Sequence, residues 1–94
     1  MDRDELESSL GAAFDGDADA LAVVSRQARD LVDSQRLEAD LGIDPDVETL
    51  VDELRDAPAD HDLVERWNWW IGSLEMSHGG YQRFLVRPDV VRDQ

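Results

Sequence analysis

Hydrophobic residues recur along this chain with a helical period, and four segments carry it. Leu6, Leu10, Ala13 and Phe14 fall at i, i+4, i+7 and i+8, which is one face of a helix over about residues 4–14. Asp15-Gly16-Asp17 is a turn in which Asp15 or Asp17 can cap the next helix. Leu21, Val24, Ala28, Leu31 and Val32 then mark one long second helix over about residues 18–41, with Gly42 suited to its C-terminal cap. Asp44-Pro45 reads as the N-cap and first residue of a third helix. Its face is Val47, Leu50, Val51 and Leu54, and Ala57-Pro58 ends it. Asp62 and Glu65 form a capping box for a fourth helix, which Gly79-Gly80 stops. Leu63, Val64, Trp67, Trp70, Ile71 and Leu74 lie on one side of that helix. The tail from Tyr81 to Val86 fits a short extended segment or a helical turn, and Pro88 disfavours helix at Arg87. The pattern predicts an all-α fold, a compact bundle of four helices with a short C-terminal extended or irregular segment, in one domain over residues 1–94.

At 94 residues the core of such a bundle is thin. Eleven Leu, nine Val and two Ile fill one core and not two, so self-association is a natural way to bury more surface.

Charge changes the picture most. Asp and Glu number 23 against nine basic residues, a net charge of −14, and every base is Arg. An Asp-rich surface without Lys resembles the proteome-wide habit of haloarchaeal proteins, a resemblance that implies a habitat and not a family. Dense carboxylates stay hydrated where molar salt would precipitate an ordinary surface. In dilute buffer the same carboxylates repel one another. The charge is also unevenly placed. Residues 1–62 hold 19 acids and five Arg, whereas residues 63–94 hold four of each. The neutral stretch carries all three Trp, the only Tyr and one of the two Phe. In a chain whose surface is acidic, a neutral aromatic segment is expected to be covered by the core, by a second subunit or by another partner.

Other classes recede. Without Cys there are no disulfides and no thiolate metal sites. No apolar run approaches the ~18–20 residues that span a bilayer, and the acidic start Met1-Asp2-Arg3-Asp4-Glu5 is unlike a secretion signal. The expectation is a cytoplasmic protein without a membrane partner. Acidity ordinarily argues against nucleic-acid binding, though less so in molar salt, where counterion release adds little affinity.

Candidate chemistry is sparse. The chain has no P-loop, no G-x-G-x-x-G and no nucleophile elbow, so no catalytic residue and no cofactor are assigned. Glu75-Met76-Ser77-His78 is an E-x-x-H, a spacing that resembles part of a ferritin-like di-metal site. Glu75 and His78 would then need further carboxylates, such as Glu38 or Glu48. The alternative is that His78 simply suits the C-terminal end of its helix. Arg66, Arg83, Arg87 and Arg92, with Trp69 and Tyr81, offer a basic aromatic surface for single-stranded nucleic acid; alternatively, the third and fourth helices with a hairpin-like tail resemble a winged helix-turn-helix. The competing reading pairs these Arg with the chain's own surplus acids.

Trp69, Gly72 and Met76 are the third candidate. At ~100° per residue they fall, together with Glu65, nearly opposite the Leu63–Trp67–Trp70–Ile71–Leu74 stripe. A helical Gly costs ~1 kcal/mol against Ala, so Gly72 calls for a packing reason. These three residues read as a contact face for a protein partner or a twin subunit, unless the chain's own tail or first helix covers them. The sequence therefore points to a non-enzymatic interaction or regulatory protein acting through its neutral Trp-rich C-terminal helix, with a homodimer as one form of that interaction. The rivals are a di-metal carboxylate protein and a nucleic-acid-binding regulator.

Overall fold

The computed structural model describes residues 2–14, 16–42 and 45–86. Five helices follow one another: α1 (Arg3–Phe14), α2 (Ala18–Asp33), α3 (Arg36–Leu41), α4 (Val47–Arg55) and α5 (Leu63–His78). A 3-10 turn over Gln82–Phe84 closes the order. No strand occurs among the described residues, so the fold is the expected all-α bundle. No helix among them is long and apolar enough to cross a membrane.

Caps set most of the boundaries. Asp17 caps α2 by accepting the Ala20 N–H at 2.8 Å. Asp62 and Glu65 form the reciprocal capping box of α5, each side chain taking the other's backbone N–H at 2.8 Å. Such caps satisfy donors that a helix start leaves orphaned, at about 1 kcal/mol each.

Two boundaries differ from the sequence pattern. The third predicted helix starts later than Pro45, because Asp46 is its N-cap and accepts the Thr49 N–H at 2.8 Å. Hydrogen bonds from Thr49 hold the Asp46 carboxyl below its ordinary range. Asp44, the expected cap, lies outside the described residues.

The long second helix is in fact two. Ser34 turns its hydroxyl back onto the Leu31 carbonyl at 2.6 Å and accepts the Arg36 N–H at 3.3 Å, offering the backbone an alternative to the helical ladder. Gln35 follows in the left-handed region at φ 63°. The chain therefore re-aims before α3, burying Leu37 and bringing Arg36 and Asp40 to the C-terminal segment.

One core draws on every helix. It joins Leu6 and Leu10 of α1, Val24, Ala28 and Leu31 of α2, Leu37 of α3, and Leu50, Val51 and Leu54 of α4. All six residues of the predicted α5 stripe are buried in it. Tyr81, Phe84 and Val86 complete it, so the tail is part of the core rather than an appendage.

Candidate interaction face on the fifth helix

α5 carries the run Trp67-Asn68-Trp69-Trp70, and the fold treats its four members differently. Trp67 and Trp70 point inward and meet edge to face, with centroids 5.6 Å apart and planes at 72°. Trp67 also donates its indole N–H to the Phe84 carbonyl at 2.7 Å, inside the core. Asn68 sits beside the tail. Its side-chain amide donates to the Val86 carbonyl at 2.7 Å and accepts the Val86 N–H at 2.8 Å. One side chain thus supplies the pair of hydrogen bonds that a neighbouring strand would give.

Glu75 performs a related task two turns later by accepting the Tyr81 N–H at 2.7 Å. Asn68 and Glu75 lie seven residues apart, on the same side of the helix. The segment from Tyr81 to Val86 therefore runs back along α5 toward its N-terminal end. Gly79 and Gly80 make the reversal, at φ 77° and 84°, where a side chain would be strained. A Cβ on Gly80 would also run into the Arg36 guanidinium.

Arg36 and Asp40 fasten the start of this segment. The Arg36 guanidinium donates to the Gly79 carbonyl at 3.1 Å and lies 5.0 Å from the Tyr81 ring centre. The Tyr81 hydroxyl donates to Asp40 at 2.7 Å. Burial, and then the Asp40 carboxylate, push the Tyr81 hydroxyl up from 10.0 to about 12, against an opposing pull from Arg36. A raised phenol pKa stabilises the fold while the hydroxyl stays protonated. That contribution is whole below pH 10 and is lost as the pH rises through about 12. Because Tyr81 is the only Tyr, tyrosinate absorbance reads this one group. The expected midpoint is about 12 in the folded chain and near 10 after denaturation. An identical midpoint in both states would remove the Asp40–Tyr81 contact from the account.

Trp69 is the member of the run that faces outward. It is 39% exposed and Met76 89% exposed, and with Leu85 they are the exposed large hydrophobics among the described residues. Between Trp69 and Met76, no atom beyond the adjoining residues and the helix's own backbone lies within 4 Å of where a Cβ on Gly72 would sit. All these residues belong to the neutral part of the chain. The three residues singled out in the sequence therefore share one open strip, and Leu85 sits on the tail that borders it.

The other candidates are placed elsewhere. Glu75 is occupied by Tyr81, and His78 is exposed at the last position of α5. Glu38 and Glu48 line a separate cleft of about 570 Å³ with Asp2, Glu5 and Asp46. Among the described residues no group of three or more His, Asp or Glu is arranged to hold a metal ion. Arg66 directs its guanidinium at the carbonyls of Leu54 (3.1 Å) and His61 (3.2 Å), with Ala59 at 3.5 Å, and stacks over Phe14. Arg83 stacks over Phe84, and Arg87 and Arg92 lie outside the described residues.

The family model described as the WNWW domain matches residues 1–75, a span that includes the run Trp67-Asn68-Trp69-Trp70. No curated protein and no solved structure shows a match to the chain.

Proposed function

The chain belongs to the WNWW domain family, and from the unequal use of its Trp67–Trp70 run we propose a non-enzymatic interaction protein whose contact surface is the outward strip of α5. The observation that carries the proposal is Trp69. Trp67, Asn68 and Trp70 each have a task inside the fold, whereas the Trp69 indole is more than a third exposed. Met76 and Gly72 extend the same surface, and it lies in the part of the chain that carries no net charge. A solvated surface on so acidic a chain has every reason to be charged, so a neutral apolar strip is best explained by a covering partner. The reading includes a setting, the high-salt cytoplasm for which the absence of Lys and the −14 net charge suit the chain.

Trp69→Ala tests the proposal. The variant is expected to fold, with an unfolding free energy within ~1 kcal/mol of the unaltered chain, as for a surface change. Association is expected to weaken at least roughly tenfold, as for loss of an aromatic anchor. A variant that loses several kcal/mol of stability while associating as before would place Trp69 in the fold and remove the interface.

A further inference from the structure

A groove runs between α1 and α4. Its two halves, of about 570 and 460 Å³, share Glu5, Val47 and Glu48 in their walls. α1 contributes Glu5, Ser9, Ala12 and Ala13, and α4 contributes Val47, Glu48, Val51 and Asp52. Glu5 to Ala13 and Val47 to Arg55 each span eight residue steps, so both walls run for about 12 Å. We propose that this groove seats an amphipathic helix of a partner protein, apolar on the face that enters and rich in Arg or Lys on its flanks. The groove draws on α1 to α4, so the proposal goes beyond the strip on α5 and does not depend on it.

The floor is apolar and its side chains are small. Ala13, Val32 and Val47 pack on the core while staying partly open, and Val51 is buried. Ser9, Ala12 and Ala13 make a low wall, so another helix can come close, since interaxial distance is set by the side chains at the contact. A helix suits this groove better than an extended segment. Both walls are helices whose own ladders hold their backbone groups, so an extended chain finds no sheet edge to pair with. A helix arrives with its backbone already paired and lays its apolar face into the groove.

Charge selects the flanks of that helix. Asp2, Glu5, Glu38, Asp46 and Glu48 line one half of the groove. Arg55, the one base in the described lining, belongs to the other half and lies 3.4 Å from Asp52. A cationic flank meets these carboxylates and offsets their mutual repulsion, whereas an acidic flank adds to it. A second copy at −14 and a nucleic acid both bring the wrong sign. The apolar face supplies the seat and the basic flanks supply the choice of partner, so salt weakens binding by screening the flanks without abolishing it.

The probe is a synthetic peptide of about 14 residues with Leu at i, i+3, i+4 and i+7 and Arg on either side of that stripe, labelled with fluorescein. Its anisotropy is titrated with the full chain in about 0.3 M KCl, with circular dichroism to confirm the fold of each variant. The unaltered chain is expected to bind, and Trp69→Ala to bind equally well. Ala12→Phe, at an exposed position of the wall, fills the groove and should weaken binding at least roughly tenfold. Glu5→Gln with Glu48→Gln should weaken it roughly fivefold more than Asp19→Asn with Asp60→Asn, which remove the same charge from exposed positions outside the groove lining. Replacing the peptide's Arg by Gln should weaken it by a similar factor. Equal losses from the two pairs would make binding a matter of net charge and overturn the groove. Unchanged binding to a folded Ala12→Phe, or no binding to the unaltered chain, would do the same. A Gln-flanked peptide that binds as tightly as the Arg-flanked one would overturn the cationic partner.

Discussion

Replacing Trp67 by Ala is expected to remove about 3–5 kcal/mol of stability, the range for large aromatic truncations in cores. Three losses coincide at this residue. Its indole is fully buried, so the cavity opens at the centre of the bundle. The edge contact with Trp70 goes with it. The Phe84 carbonyl, which accepts the indole N–H at 2.7 Å, is left without that donor in the core. A domain of this length holds only about 5–14 kcal/mol in total, so the variant should be largely unfolded well below the melting temperature of the unaltered chain. Asn68→Ala is the milder relative. It frees both backbone groups of Val86 in a partly buried setting and should loosen the tail while leaving α5 intact. Urea unfolding followed by far-UV circular dichroism, in molar KCl, reads both. A Trp67→Ala chain as stable as the unaltered one would show that the tail is not held by this residue.

The second large effect is that of salt. Acids outnumber bases by 19 to five over residues 1–62, and the ion pairs Arg29–Asp33 and Arg55–Asp52 are exposed and worth little. Asp2, Glu5, Glu38, Asp46 and Glu48 line one cleft, so like charges gather there. Raising salt from 0.1 to 1 M shortens the Debye length from ~10 Å to ~3 Å and removes most of that repulsion. Relief of a few kcal/mol in a domain of this size moves the melting temperature by roughly 10–20 °C. The same screening lets two copies approach, so association should strengthen in parallel. A melting temperature that stays level from low to molar KCl would contradict the high-salt reading.

Much of the fold was legible because its signals are local. The capping box at Asp62 and Glu65, the glycine stop at Gly79-Gly80 and the α5 stripe each depend on a few neighbouring side chains. The break at Ser34-Gln35 was not legible. A hydroxyl turned onto the Leu31 carbonyl is one conformational choice among several, and no Gly or Pro marks the break. The tail was ambiguous for a related reason. Most of what fixes it comes from far along the chain, from Asp40 and Arg36 on one side and Asn68 on the other. Sequence periodicity does place Trp69, Gly72 and Met76 on one face, because angles around a helix follow directly from spacing. It could not assign Asn68 its clamp on Val86. An amide within an aromatic run signals only that something polar must be met there. Glu75 shows the converse: a spacing that suits a metal is used to hold a backbone N–H.

Sedimentation equilibrium in molar KCl, on the unaltered chain and on Trp69→Ala at matched concentrations, tests the outward strip of α5 most directly. The unaltered chain should rise from 10.6 kDa toward twice that mass as it is concentrated, while Trp69→Ala stays at the mass of one copy and keeps its helical content. A mass of two copies for both chains would contradict the role assigned to Trp69, and a mass of one copy for both would remove self-association from the account.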